Sequence, residues 1–311
     1  MPELPDITIY VESLRSRVID KRLEGIDIRS PFVLRTFEPP IPEFIGRKVA
    51  AVNRIGKQIV LELEPDYALI IHLMIAGRLH WKSGRTGPRG KLALAAFHFP
   101  DGTLLFTEAG TKKRASLHAV RGANTREQFD RGGLEVLDSS FEDFRASLTA
   151  ENHTLKRSLT DPRLFSGIGN AYSDEILHRA RLSPLRQTKT LNEKDMRNLH
   201  RSTKETMEEW IDRIRSQAGS GFPDRVTAFR PEMAVHGKFG KACPRCGTAV
   251  QRISYAENEC NYCPRCQTGG KILADRSLSR LLKEDWPRTI EELEVTEGFK
   301  KSKDLSLQKS D

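Results

Sequence analysis

Four cysteines are arranged in two pairs whose spacing could hold a metal ion. Cys243 and Cys246 form a CPRC motif, and Cys263 and Cys266 form a second CPRC motif after sixteen intervening residues. Two such pairs on opposing turns can provide four thiolates around one zinc ion, which leaves no open position for a substrate. The spacing therefore predicts a structural zinc site, whereas buried reduced cysteines and a redox pair are the alternatives. The fifth cysteine, Cys260, is expected to be a free thiol.

The residues that follow the initiator methionine could provide a nucleophile and an acid. Removal of Met1 would expose Pro2 as a secondary amine beside the carboxyl group of Glu3. An α-amino group has a pKa of about 7.7–8.0, and the positive end of a following helix lowers that pKa. Such an amine can attack the C1′ atom of a sugar while the acid transfers protons. The alternative is that Pro2 and Pro5 only begin a helix.

A glycine-rich motif, Gly167-Ile168-Gly169-Asn170, precedes a helical pattern over residues 171–180. Backbone N–H groups at a helix start can bind an anion such as a phosphate, and glycine allows a backbone to come close. The alternative is an ordinary tight turn, so the motif supports a function only together with the other motifs.

The elements that must position these residues follow from the hydrophobic pattern. Apolar residues recur at helical spacing between residues 7 and 18 and predict an amphipathic helix. Short apolar runs predict strands at residues 48–52, 58–63, 68–74, 92–99 and 103–107. Gly56-Lys57 and Asp101-Gly102 lie between these runs and predict hairpin turns. Up to about residue 125, we expect a β-sandwich or barrel with one N-terminal helix.

The pattern becomes helical between residues 141 and 217, where Asn192 is the expected N-cap of a long helix. Residues 218–240 form a glycine-rich connector to the cysteine cluster. The polar residues beyond about 280 show no periodic core, and we expect them to be a mostly disordered appendage.

Composition sets the broad class of the protein. The 311 residues are 38% hydrophobic, which is enough to bury a core. The net charge is +9, and the acidic end of the chain, with 8 acids and 5 bases from Glu284 onward, leaves +12 for residues 1–283. Such a surplus favours a polyanionic partner. Neither a membrane span nor a signal peptide is present in the pattern, so we expect an intracellular protein.

Taken together, these residues resemble the formamidopyrimidine-DNA glycosylase and endonuclease VIII family of base-excision repair enzymes. The resemblance runs from Pro2 to about Gln267. It implies an α+β multidomain fold: an N-terminal β-sandwich with an N-terminal helix, a helical helix-two-turn-helix domain and a C-terminal zinc finger. We place these domains at residues 1–130, 131–225 and 226–275, followed by a polar tail at 276–311.

The resemblance also implies roles for individual residues. Pro2 would be the nucleophile and Glu3 the acid and base, with Lys57 as a catalytic residue that contacts the backbone at the lesion. Lys156 and Asn170 would contact DNA near the lesion and at a phosphate. Two further residues would support the site: Asp6, which replaces the more usual glutamate, and Glu175 in the GIGNAYSDE segment. The four paired cysteines would hold one structural Zn²⁺.

Three departures from the family's pattern concern DNA contacts. Ile75 stands where the family has a methionine that fills the gap left by a flipped nucleotide, although Met74 is adjacent. Lys113 replaces an arginine, and Ala115 replaces the aromatic residue that wedges the opposite strand. Asn258 replaces the zinc-finger arginine, so Arg252 or Arg265 would have to compensate. A smaller wedge predicts weaker discrimination by the opposite base and better activity on single-stranded DNA, since less unstacking is needed there.

The sequence thus predicts a monomeric DNA glycosylase and abasic-site lyase that acts on damaged double-stranded or single-stranded DNA. Its location would be the cytoplasm and nucleoid of a bacterium or the nucleus of a eukaryote. Strand cleavage would proceed by β- and then δ-elimination, and loss of the finger arginine could weaken the δ step. An abasic-site lyase with little glycosylase activity and a catalytically silent binder of damaged DNA are the alternatives.

Overall fold

The computed structural model describes residues 1–122, 127–223, 230–255, 258–274, 287–293 and 295. The chain divides into two units, which are described separately. The first unit contains the described residues within 1–140, 161–169 and 207–228, and the second contains the remaining described residues. Among the helices of these ranges, none combines the length and the apolar character that crossing a membrane requires.

The first unit begins with helix α1, Leu4–Val18. Glu3 is its N-cap, and the backbone N–H of Glu3 donates to the Asp6 carboxylate at 3.0 Å, as in a capping box. The apolar face of α1 is buried, with Tyr10 and Leu14 fully inaccessible. The predicted amphipathic helix is therefore confirmed, and Asp6 helps to fix its start.

Eight strands follow in the first unit. Their bounds are β1 Gly25–Ile28, β2 Val49–Ile55, β3 Gln58–Leu63, β4 Tyr67–His72, β5 Gly77–Ser83, β6 Ala93–Phe99, β7 Gly102–Glu108 and β8 Ser116–Arg121. Two short 3₁₀ helices, Pro31–Val33 and Ile41–Phe44, lie between β1 and β2.

The strands form two antiparallel sheets of four strands each, in the orders β1-β6-β7-β5 and β2-β3-β4-β8. Buried residues of both sheets share one core with α1. The expected β-sandwich with an N-terminal helix is confirmed. The hydrophobic runs located five strands but missed β1, β5 and β8.

The second unit is mostly helical and also contains a β-hairpin. Its elements are α2 Phe141–Thr149, α3 Leu155–Thr160, α4 Asn170–Ala180, the 3₁₀ helix Thr188–Thr190, α5 Glu193–Ala218, β9 Gln251–Tyr255, β10 Asn258–Tyr262 and α6 Pro264–Thr268. The residues of α5 from Met207 onward belong to the first unit. Asn192 is the N-cap of α5, as predicted, because its Oδ1 accepts from the Asp195 N–H at 2.8 Å. Strands β9 and β10 pair antiparallel.

Within the expected, mostly disordered tail, residues 287–293 form a short structured segment. Thr289 forms a β-bridge with Lys271, and the backbone N–H of Ile272 donates to the Arg288 carbonyl at 2.8 Å. Ile290 is buried, so this short segment supplies an apolar contact that the polar composition concealed. The rest of the expected tail, and residues 224–229 of the expected connector, lie outside the described residues.

Candidate active site and metal centre

The start of α1 is held directly by the glycine-rich motif. The backbone N–H of Gly169 donates to Glu3 Oε2 at 2.6 Å, and the N–H of Leu4 donates to the Gly167 carbonyl at 2.9 Å. Pro2 and Glu3 are both buried. The structure thus brings together two motifs that are separated by more than 160 residues in the sequence.

Gly169 also separates two charged groups. A Cβ atom at this position would lie 2.5 Å from Lys57 Nζ and 2.6 Å from Glu3 Oε1. The ammonium group of Lys57 and the carboxylate of Glu3 therefore flank the same point, and only a residue without a side chain fits between them. Lys57 reaches this point from the predicted hairpin turn between β2 and β3, where Gly56 has a φ of 58°.

A polar network holds the Lys57 turn beside the glycine motif. Arg54 Nη1 donates to the Gly56 carbonyl at 2.8 Å and to Ser166 Oγ at 3.3 Å. Glu135 forms an ion pair with Arg54 and accepts a hydrogen bond from Ser166. Sequence reasoning missed this network, because nothing in the local pattern links three residues that are so far apart along the chain.

The α-amino group of Met1 lies in this environment. Burial lowers its pKa, while Glu3 and Asp6 raise the pKa and partly offset that effect. Lys57 and Arg78 lower it further. The α-amino group of Met1 is thus kept neutral more readily than an exposed one.

The loop between β4 and β5 presents Ile75. Its side chain is 55% exposed, whereas Met74 is half-buried and has a φ of 52°. The Met74 N–H donates to His72 Nδ1 at 2.9 Å, and burial lowers the pKa of His72 to about 4, which keeps the ring neutral. Gly77 closes the loop, since a Cβ there would lie 2.3 Å from the Leu73 carbonyl oxygen. Ile75 is therefore the tip residue.

Ala115, expected at the wedge position, lies in the core. It is 3% exposed and packs in the cluster shared by the two sheets. The Glu108 carboxylate accepts the N–H groups of Arg114 at 3.0 Å and Ala115 at 3.2 Å. Lys113 Nζ donates to the Glu108 carbonyl. No wedge side chain can come from Ala115, and the three exposed residues directly before it, Lys112, Lys113 and Arg114, are cationic.

In the second unit, Lys156 is turned toward the protein. Its Nζ donates to the Asn170 carbonyl at 2.7 Å, to Ser173 Oγ at 2.8 Å and to Asp174 Oδ1 at 2.5 Å. An ammonium group has three protons, and these three acceptors match them. All three acceptors belong to the first turns of α4, so Lys156 holds the start of that helix.

Asp174 extends this network. Its Oδ2 accepts from the Asn261 backbone N–H at 3.1 Å and lies 2.8 Å from His236 Nδ1. Burial alone would raise the pKa of Asp174, but Lys156 and His236 outweigh burial and lower the pKa. The carboxylate therefore stays ionised and joins α3, α4 and strand β10. The sequence motifs assigned no role to His236, nor to Asp174, although Asp174 lies in the GIGNAYSDE segment.

Asn170 and Glu175 attach α4 to the segment that carries the cysteines. Asn170 Nδ2 donates to the Glu259 carbonyl of β10 at 2.8 Å. The Glu175 carboxylate accepts the backbone N–H groups of Ala234, Val235 and His236 at 2.8–2.9 Å. Glu175 thus ties α4 to the backbone of the segment that precedes the cysteines.

The four paired cysteines converge. Their Sγ atoms all lie within 4.8 Å of one another, with Cys246 and Cys263 at 3.4 Å and Cys243 and Cys266 at 4.0 Å. These separations suit four thiolates around a tetrahedral ion, so the site fits a structural metal ion. His178 Nε2 lies 3.2 Å from Cys243 Sγ and connects α4 to the site.

Two further residues of the β9–β10 hairpin, Cys260 and Arg252, make contacts within the finger. Cys260 is buried beside Ile253, outside the metal site, and burial raises the pKa of its thiol well above the ordinary value. Arg252 pairs with Glu259 at 3.4 Å, and its guanidinium carbon lies 4.4 Å from the centroid of the Phe239 ring. Arg252 is therefore engaged within the finger.

Comparisons with known proteins agree with this architecture. Residues 1–113 match the formamidopyrimidine-DNA glycosylase N-terminal domain, residues 133–220 match the formamidopyrimidine-DNA glycosylase H2TH domain, and residues 240–269 match a zinc finger found in FPG and IleRS. The formamidopyrimidine-DNA glycosylase of Heliobacterium modesticaldum is 33% identical over 282 residues, which cover 86% of this chain and 100% of the relative. That of Lactococcus lactis subsp. cremoris is 29% identical over 277 residues, or 86% of this chain and 99% of the relative.

Solved structures show the same likeness. The Lactococcus lactis Fpg in complex with an abasic site containing DNA has a TM-score of 0.76 and 27% identity, covering 86% of this chain and 99% of that chain. A MutM in complex with carbocyclic 8-oxo-G containing DNA has a TM-score of 0.75 and 27% identity, covering 86% of this chain and 100% of that one.

We expect Lys156→Met to destabilise the protein by about 3–5 kcal/mol, because it leaves the Asp174 carboxylate buried with one cationic partner fewer. Denaturant unfolding measures this loss. Lys194→Met is the matched control, since Lys194 is exposed and should change stability by less than about 0.5 kcal/mol. A loss below about 1 kcal/mol for Lys156→Met would show that the network contributes little.

The half-buried, neutral His72 should make stability depend on pH. The unfolded chain binds a proton near pH 6.5 and the folded chain near pH 4, so stability falls as the pH drops through this range. The parent should lose up to about 1.4 kcal/mol per pH unit relative to His72→Asn, whose amide oxygen can still accept the Met74 N–H. Unfolding curves at several pH values measure the difference. Parallel pH profiles for the two proteins would refute this assignment.

Proposed function

This chain belongs to the formamidopyrimidine-DNA glycosylase family, and we propose that it is a bifunctional base-excision repair enzyme that removes oxidised bases and then cleaves the strand. The relatives named above support a DNA repair glycosylase. A single observation carries the finer proposal. Glu3, at the start of the chain, and Lys57 lie on either side of Gly169.

The proposed nucleophile is the Pro2 nitrogen after removal of Met1. It attacks C1′ of the damaged nucleotide, the glycosidic bond breaks, and the departing base takes a proton. Opening of the sugar ring then leaves an iminium between Pro2 and C1′. Glu3 is buried beside this position and serves as the acid and base that moves these protons.

Strand cleavage follows from the same intermediate. The iminium acidifies the protons on C2′, so β-elimination releases the 3′-phosphate, and δ-elimination then releases the 5′-phosphate. We assign phosphate binding to Lys57, Asn170 and Lys113. For Lys156 we propose a positioning role, because its bond to the Asn170 carbonyl fixes the start of α4.

Base flipping would depend on the loop between β4 and β5. We propose that Ile75 fills the gap left by the flipped nucleotide, since it is the exposed tip of that loop. Ala115 is buried and therefore provides no wedge for the opposite strand. This observation favours a second candidate function. That candidate is an abasic-site lyase with little glycosylase activity, because an abasic nucleotide needs less unstacking.

We propose that the metal ion is zinc, since four thiolates in a closed tetrahedral set are typical of structural zinc. Cys243, Cys246, Cys263 and Cys266 would hold it and would cross-link the two ends of the β9–β10 hairpin region. Asn170 bonds to this hairpin, so order in the finger would stabilise the phosphate site at the start of α4.

Borohydride reduction in the presence of abasic duplex DNA tests the nucleophile. The parent should form a covalent protein–DNA adduct, Pro2→Gly should form far less, and Glu3→Gln should be impaired in base removal. Parallel assays on 8-oxoguanine duplex and on abasic duplex separate the two enzymatic candidates. An absence of adduct from the parent would leave only a DNA-binding role.

Gly169→Ala should lower strand cleavage by at least about 100-fold, because the added Cβ displaces both Lys57 and Glu3. Single-turnover cleavage of abasic duplex measures this loss. Gly87→Ala is the matched control, since its Cβ would meet only Asp27 Oδ2, at 4.0 Å. Equal rates for the two variants would contradict the proposed geometry.

Metal removal should unfold the finger, because structural zinc binding contributes about 10–16 kcal/mol to the folding of comparable modules. We expect Cys266→Ser to lose the metal, to lower Tm and to weaken DNA binding. Cys260→Ala is the control: elemental analysis should still find one zinc per chain, because Cys260 lies outside the metal site. Full zinc content in Cys266→Ser, or loss of zinc in Cys260→Ala, would show that the ligand set is different.

A further inference from the structure

The second unit contains an open cleft of about 800 Å³ that no role described above uses. It lies where the end of α4, the first turns of α5 and the loop between the first two metal-ligand cysteines meet. Its lining is dominated by charged residues: Arg179, Arg181, Glu193, Lys194, Asp195, Arg197, Arg201 and Arg245, with Ala180 and Asn198.

Cations outnumber acids in this lining by six to two. Three of the cations are already paired: Arg197 contacts Glu193 at 2.6 Å, and Arg179 and Arg201 share Glu205 at 3.5 and 3.8 Å. The other three, which are exposed, make no ion pair with any residue that the structure describes: Arg181, Lys194 and Arg245. The cleft therefore has unneutralised positive charge on all three of its walls.

Arg181 reaches the cleft from an unusual backbone position. It follows the last residue of α4 with a φ of 56°, a left-handed conformation that glycine adopts most easily at helix ends. An arginine at this position directs a guanidinium group toward the same space as Arg245 and Lys194.

We propose that this cleft binds the phosphate backbone of a nucleic-acid strand other than the one held at Asn170. One guanidinium group can donate two parallel hydrogen bonds to two oxygens of a phosphate. The charged lining of the cleft disfavours an apolar ligand. Asn170 begins the 11-residue helix α4 and the cleft lies at its end, about 16 Å away at 1.5 Å per residue. One phosphate cannot contact both places, so the cleft can take a second strand while Asn170 holds the first.

The identity of the polyanion as nucleic acid rests on the proposed function, whereas the charge of the cleft does not. A protein that holds a second strand while its active site is occupied can transfer directly between DNA segments. The cleft would then contribute to the search for damage rather than to the chemistry.

The proposal is tested by measuring binding of a second strand while the active site is already saturated. The protein is first saturated with a short duplex that contains a tetrahydrofuran abasic analogue, and a fluorescent oligothymidylate is then titrated by anisotropy. The triple variant Arg181→Gln, Lys194→Gln, Arg245→Gln should bind this second strand at least tenfold more weakly. The slope of log K against log salt should decrease in magnitude by about 2, at about 0.7 for each single-strand phosphate contact.

The matched control is Lys82→Gln, Arg89→Gln, Lys91→Gln, which removes three exposed cations that likewise make no ion pair in the described part of the chain. This control should bind the second strand as the parent does. The zinc content of the cleft variant should equal that of the parent, which would show that the Arg245 substitution leaves the metal site intact.

Equal weakening in the two triple variants, or a parent complex that takes up polyglutamate but no oligothymidylate, would overturn the proposal. Cleavage of abasic duplex should be unchanged in the cleft variant. A parent that binds the second strand but cuts no abasic DNA would refute the proposed function and leave the cleft assignment standing.

Discussion

The hydrogen bond from the Gly169 N–H to the buried Glu3 carboxylate, at 2.6 Å, is the contact on which the site depends. It fixes the start of α1, and therefore the position of the chain's first residues, against a motif far along the sequence. The missing side chain of Gly169 is equally important, because Lys57 Nζ and Glu3 Oε1 occupy the space on either side. The carboxylate of Glu3 and the ammonium group of Lys57 thus lie together at the start of α1, next to the proposed nucleophile.

The second unit is organised around a buried network of charged residues that fixes the start of α4. Lys156, Asp174 and His236 join α3, α4 and the segment before the finger, and the Asp174 carboxylate also accepts the Asn261 N–H of β10. A buried ion pair adds little net stability by itself, but removing one partner costs much more. The network therefore specifies one arrangement of the helix start that carries Asn170.

Local patterns in the sequence predicted the parts of the molecule that local physics determines. The CPRC spacing gave the cysteine cluster, and apolar periodicity with Asn192 gave the long helix. The role of Glu108 and the burial of Ala115 were not predictable, because both depend on how the β7–β8 turn packs on the core. Strand β5 was missed although Leu79 and Trp81 alternate with polar residues.

Peptide mass spectrometry of the borohydride-reduced protein–DNA adduct tests the central claim most directly, because Lys57 is a second amine beside Glu3. The account predicts a mature protein without Met1 that carries the sugar fragment on the nitrogen of Pro2. A fragment attached to Lys57 instead, or an active protein that retains its first methionine, would contradict it.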